Sequence, residues 1–99
     1  MDDATLGGYQ QVHGRPPAFG AADGQAYSVA MFTADTDGKF GAALLFVRWG
    51  EGERPVGHLE TDYLAFGATA DEAQASLEAL TLEQVKAHLD ACVARGPRT

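Results

Sequence analysis

The sequence predicts an α+β domain: a three-stranded antiparallel β-meander followed by two C-terminal α-helices packed on one sheet face. Three observations carry that expectation. Two runs of β-forming residues flank an Asp-Gly turn. A third such run follows a Gly- and Pro-containing loop. After residue 69 the apolar spacing changes from period two to helical period, and Thr-x-x-Glu/Gln caps open it twice. The 99 residues fit one domain with one core, divided into an irregular segment 1–24, a meander 25–66 and helices within 69–95.

Segment 1–24 is punctuated by Gly7-Gly8, Gly14, Pro16-Pro17, Gly20 and Gly24, residues that break regular elements. Within it Tyr9–Val12 is a candidate short extra strand, and Tyr9, Val12 and Phe19 are candidate anchors to the body. Residues 26–34 read as the first strand of the meander, with Tyr27, Val29 and Met31 on one face and Ala30 and Phe32 on the other. Asp35-Thr36-Asp37-Gly38 is a hairpin signal, because Gly accepts the positive φ that such turns require. The second strand, Phe40–Trp49, is apolar on both faces: Phe40, Ala42, Leu44 and Phe46 on one, Ala43, Leu45, Val47 and Trp49 on the other. A strand of this kind is central and covered on both sides. The polar loop Gly50–Pro55 leads to a third strand, Val56–Phe66. Its alternation places Leu59, Thr61, Tyr63 and Ala65 opposite His58, Glu60 and Asp62.

Thr69-Ala70-Asp71-Glu72 reads as a capping box, and Ala73, Leu77 and Leu80 continue it as an amphipathic helix. The apolar stripe then rotates to Leu82, Val85, Leu89 and Cys92/Val93. Thr81-Leu82-Glu83-Gln84 supplies a second box at the change of phase. Two helices, about 70–80 and 82–94, are therefore expected, with a bend at Thr81 and a stop at Gly96-Pro97.

The layout from Tyr27 to Ala79 runs strand, Asp-Gly hairpin, strand, loop, strand, and then Gly67-Ala68-Thr69-Ala70-Asp71-Glu72-Ala73. It resembles the HicB-like antitoxin domain, a meander ending in a Gly-x-Thr-x-x-Glu-Ala helix start. The resemblance covers about half the chain. Thr61-Asp62-Tyr63-Leu64 stands where that family has Pro-Gly-Cys. The resemblance implies the fold first and, beyond it, an antitoxin-type inhibitor of a basic ribonuclease toxin.

The formal charge is −7, from 7 Lys and Arg against 14 Asp and Glu. The basic residues are scattered and form no stripe for phosphates, which argues against direct nucleic-acid binding. An acidic surface suits a basic protein partner instead. No run approaches the length of a membrane span, and Met1-Asp2-Asp3-Ala4 lacks the basic start of a secretory signal. The single cysteine, Cys92, excludes an intramolecular disulfide. A soluble cytoplasmic protein is the expectation.

His58, Glu60 and Asp62 are the one candidate metal-ligating constellation. The competing reading is the solvent-facing row of an edge strand, whose residues stand about 7 Å apart and whose charge discourages edge pairing. Cys92 falls on an apolar helical stripe, far from the electropositive setting that activates a thiol. His13 has no evident partner in sequence, and His88 lies one turn before Cys92. Ser28 and Ser76 lack a nucleophile-elbow context. Gly50-Glu51-Gly52-Glu53 carries glutamates that repel phosphate, and no helix follows it. No catalytic residues and no cofactor are expected. The two-faced second strand points instead to an interface that includes Leu45, Phe46, Val47 and Trp49. Two short helices cover one sheet face only, so the other is covered by the N-terminal segment or by a second subunit. A homodimer is expected.

Overall fold

The computed structural model describes residues 3–50 and 54–96. In chain order the elements are α1 (Leu6–His13), β1 (Ala18–Gly20), β2 (Ala26–Asp35), β3 (Phe40–Trp49), β4 (Pro55–Glu60), β5 (Ala65–Gly67), α2 (Ala70–Glu78) and α3 (Leu82–Arg95). The sheet is antiparallel in the order β1-β2-β3-β4, and β5 pairs with β3 beyond the end of β4. Thus β4 and β5 are two pieces of one interrupted fourth strand. The α+β class and the antiparallel sheet agree with the sequence. The number of elements differs at three places. Residues 51–53 of the expected loop and Pro97 of the expected stop lie outside the described residues.

The first difference is at the N-terminus, where Tyr9–Val12 is helical rather than extended. Thr5 caps α1, its hydroxyl accepting from the Gly8 N–H at 3.1 Å, and Gly14 closes it with φ +67°. A helix with Gly in its first turn is intrinsically poor, so tertiary contacts must hold it. They do. Leu6 is completely buried, and its N–H donates to the Leu80 carbonyl at 2.8 Å. The Leu82 N–H donates to the Ala4 carbonyl at 2.8 Å. Gly7 meets α2 so closely that a Cβ there would stand 2.8 Å from Glu78 Cβ. Leu6, not Tyr9 or Val12, is therefore the principal anchor; Val12 is 46 % exposed. His13 does find partners, stacking on Tyr9 with ring centroids 4.2 Å apart and pairing with Asp3 at 3.3 Å.

The second difference is the extra strand itself. It is β1, which follows Pro16-Pro17 and pairs with β2 through Phe19 opposite Tyr27. The β2–β3 hairpin turns at Asp37-Gly38, both with positive φ (65° and 97°), and the Thr36 N–H donates to the Lys39 carbonyl at 2.7 Å. Those angles are the ones that let a two-residue turn follow the strand twist.

The third difference is the break in the fourth strand. Thr61 donates its N–H to the Leu44 carbonyl at 3.0 Å. The Leu44 N–H then donates to the Thr61 hydroxyl at 3.0 Å instead of to a backbone carbonyl, and that hydroxyl donates to the Asp62 carbonyl at 2.7 Å. A side chain has taken a ladder position, and the chain leaves strand geometry until Ala65. Alternation does not survive the break. Leu59 and Thr61 point inward as expected, but Tyr63, expected beside them, is 40 % exposed on the opposite side.

The two C-terminal helices form as the caps predict. Thr81 and Gln84 make a complete capping box at the start of α3. At α2 the Thr69 hydroxyl accepts from the Glu72 N–H, while the Glu72 carboxylate reaches one residue further back, to the Ala68 N–H. Ala73 and Leu77 of α2 and Val85, Leu89 and Cys92 of α3 join Leu6 of α1 in the core. They pack on Tyr27 and Val29 of β2, Ala42, Leu44 and Phe46 of β3 and Leu59 of β4. Each strand contributes one parity only, so the core lies on one face of the sheet, and all three helices stand on that side.

Candidate functional site

The opposite face of the sheet is built from the other parity of the same strands. On β3 that parity comprises Leu45, Val47 and Trp49 together with Ala43, which is itself buried; register places Phe32 of β2 beside Ala43, and Glu60 and His58 of β4 beside Leu45 and Val47. Leu45, Val47, Phe32, Pro55, His58 and Glu60 line one shallow groove. A second groove, across Phe32, continues along Glu60, Asp62, Tyr63 and Phe66.

This face has internal order. Phe32 and Tyr63 meet edge-on with centroids 6.4 Å apart, Tyr63 and Phe66 lie 5.9 Å apart, and the Lys39 ammonium sits 4.7 Å from the Phe66 centroid. The Tyr63 ring fits over the bare backbone of Gly41, where a Cβ would come within 2.7 Å of it. At the other end the Trp49 indole N–H donates to the Ser28 hydroxyl at 2.8 Å, fixing the ring over β2. Trp49 is 39 % and Phe66 49 % exposed. No described helix covers these rings, and the N-terminal segment, the other cover expected from sequence, is stapled to the α2–α3 elbow on the far side.

The interface residues named from sequence therefore divide. Leu45, Val47 and Trp49 lie on the open face. Phe46 is 0 % exposed in the helix-covered core, because strand alternation turns it away from its neighbours. It has no surface to give to an interface. Tyr63, Phe66 and Phe32 complete the open face. Tyr63 could be placed there only by knowing of the break at Thr61.

His58 and Glu60 share the open face, with Asp62 beyond them in the break. Among the described residues, no three His, Cys, Asp or Glu side chains gather closely enough to hold a metal ion. Cys92 is buried, with the Arg95 guanidinium 3.6 Å from its sulfur.

The edge of β4 is obstructed. Leu59 and Thr61 direct their backbone groups at β3, so Val56, His58 and Glu60 direct theirs outward. Arg95 donates to the Glu60 carbonyl, and Arg48 reaches the Val56 carbonyl at 3.5 Å. With Pro55 opening the strand, little of the edge remains for another strand to pair with.

Among the described residues the resolved shifts in acidity fall on two groups at the start of β2. The Gln25 N–H holds the Asp23 carboxyl below its ordinary value, with the Tyr27 hydroxyl helping; burial, and the bond to Asp23, push the Tyr27 phenol up. No helix among the described residues is long and apolar enough to cross a membrane. No protein-family model, curated protein or solved structure matches the chain.

Proposed function

We propose that this domain is a non-enzymatic interaction module that self-associates through its open sheet face. One observation carries the reading: an apolar face with Trp49, Tyr63 and Phe66 exposed stands opposite the helices, and no described helix covers it. Exposed apolar patches of this kind mark interaction surfaces.

Three further points favour a second copy as the occupant. Two ten-residue strands and their neighbours, at about 4.8 Å spacing and about 3.3 Å rise, offer roughly 500 Å² in projection. Side-chain relief brings that towards the roughly 800 Å² per partner of a stable interface. Charge is the second point. On a chain of net charge −7, the acids of this face among the described residues lie at the β4 margin, at Glu60 and Asp62. Charge depletion at the centre is what lets two like-charged bodies meet. The third point is the obstructed β4 edge, where little backbone is left for strand pairing to compete with the face.

Light scattering on the full chain should give twice the 10.4 kDa monomer mass at micromolar concentration, and Val47→Asp should restore the monomer. A wild-type monomer at that concentration would overturn the reading. A second reading, an antitoxin-type inhibitor docking a basic partner on the same face, draws on Glu60 and Asp62 beside the apolar groove. Electrostatic docking weakens with added salt, whereas apolar self-association of like-charged chains strengthens.

A further inference from the structure

A separate cavity of about 190 Å³ lies between the sheet and the C-terminal end of α3, lined by Asp23, Tyr27, Arg48, His58, Val93 and Gly96. Arg48 reaches it because β3 alternation turns its side chain to the helix side, opposite Tyr27 in register. The guanidinium passes over Gly57, where a Cβ would stand 3.4 Å from Nη2. Among the described residues, its hydrogen bonding consists of the 3.5 Å contact to the Val56 carbonyl, which is at the limit of bonding. Most donors of the planar fork are thus free for solvent or a ligand.

Asp23 lines the same cavity with its carboxylate held in place. Oδ1 accepts from the Gln25 N–H and Oδ2 from the Tyr27 hydroxyl, both at 2.9 Å. The Asp23 carboxylate and the Arg48 guanidinium influence each other electrostatically, yet they form no direct ion pair. Opposite charges thus line one small cavity without pairing, Arg48 half-buried and Asp23 exposed to solvent. A simple anion would meet Arg48 but also Asp23 and the negative end of the α3 dipole. A simple cation would meet the guanidinium. A molecule that carries both charges satisfies each side.

We propose that this cavity binds a small zwitterion of the free α-amino-acid type, its carboxylate on Arg48 and its ammonium on Asp23. The volume sets the size of the side chain, since a cavity of about 150 Å³ accommodates benzene. Glycine, alanine and serine fit within that volume. Tyr27 positions the carboxylate of Asp23 and supplies the phenol wall. Arg48 and Asp23 stand apart from the open face; the two sites share only the Gly57-His58 stretch of β4.

The test is an amide NMR titration of the full chain with glycine, L-alanine and L-serine. Acetate and methylamine serve as single-charge controls. Each is taken to about 20 mM, where a site with a Kd of about 1 mM is nearly full. Saturable shifts at Gln25, Tyr27, Arg48 and Gly57 are expected with the amino acids and not with the controls. Arg48→Gln and Asp23→Asn should each weaken binding about tenfold or more, with the spectrum otherwise unchanged beyond the cavity and, for Arg48→Gln, the adjoining β4 edge. Should Arg48→Gln fail to fold, Arg48→Lys keeps the charge but loses the fork, and weaker binding is again expected. The proposal falls if no amino acid gives saturable shifts. It also falls if acetate or methylamine alone does as well, or if the folded variants bind like wild type.

Discussion

Replacing Thr61 by Val tests whether the break in the fourth strand is held by one hydroxyl. The side chains are nearly isosteric, so packing around this buried position (8 % exposed) changes little. What changes is hydrogen bonding. The Leu44 N–H, on a residue with no exposure, loses its acceptor at 3.0 Å, and the Asp62 carbonyl loses a donor at 2.7 Å. An unsatisfied buried donor costs about 1–3 kcal/mol. The Asp62 carbonyl belongs to an exposed residue and can turn to water. The expected loss is therefore about 2–3 kcal/mol, a large share of the roughly 5–15 kcal/mol typical of a domain. It corresponds to a fall in Tm on the order of 10–20 °C for a chain of this size. Thr61→Ser keeps both hydrogen bonds and loses one methyl, about 0.8 kcal/mol. The measurement is urea unfolding of the three proteins at one protein concentration, since association stabilises by mass action. The order should be wild type, then Ser, then Val, at unchanged m. Simple hydrophobicity predicts the reverse order for Ser and Val. A Val variant as stable as the Ser variant would refute the role given to the hydroxyl.

Gly7→Ala should lower stability by about 1–2 kcal/mol despite the better helix propensity of Ala, because the new Cβ would stand 2.8 Å from Glu78 Cβ; a raised Tm would count against the close α1–α2 approach. Asp23 titrates below its ordinary value of 3.8 in the folded protein, so its contribution is present above that value and is lost as pH falls through the lower folded one. The stability gap between wild type and Asp23→Asn should accordingly close on acidification, and a gap independent of pH would contradict the Gln25 and Tyr27 bonds. Tyr27 is raised above 10.0, so its contribution holds below that value and is lost as pH rises through the folded one; Tyr27→Phe should flatten that alkaline limb of the stability curve. Raising salt from low ionic strength should increase the dimer fraction seen by sedimentation, because two bodies of charge −7 repel less when screened; dissociation by salt would favour the electrostatic reading.

Much of the fold was legible because its signals are local. The Asp37-Gly38 turn, the two-faced β3 and the paired Thr69 and Thr81 caps each occupy a few consecutive residues, and each formed at its expected place. The misread elements depend on distant partners. Gly7 and Gly8 argue against a helix in isolation, and α1 exists because Leu6 and the Ala4 carbonyl bond to the α2–α3 elbow, more than seventy residues along the chain. The break at Thr61 leaves no trace in hydropathy, since Thr suits a strand as well as it suits a side-chain substitute for a ladder carbonyl.

The same distinction explains the two candidate sites. The open face follows from alternation along β3, a local property, and Leu45, Val47 and Trp49 could be placed there from sequence. Phe46 belongs to the other parity, so grouping it with them conflicted with the alternation that identified the face. Tyr63 needed the break. The Arg48 cavity needed more: Asp23 and Arg48 lie on opposite ends of a hairpin, and only the Tyr27–Arg48 register brings them to one cavity. Register also explains why Arg48 serves two purposes. Its parity aims it at the cavity, and its place at the end of β3, beside the Arg48/Trp49 irregularity, lets it reach the outward Val56 carbonyl. Arg48→Gln should therefore perturb the β4 edge as well as the cavity, whereas Asp23→Asn should perturb the cavity alone. The backbone amide of Val56 distinguishes the two, because only the arginine variant should shift it or speed its exchange with solvent. Equal perturbation by both variants would mean that edge and cavity are not separable through this residue.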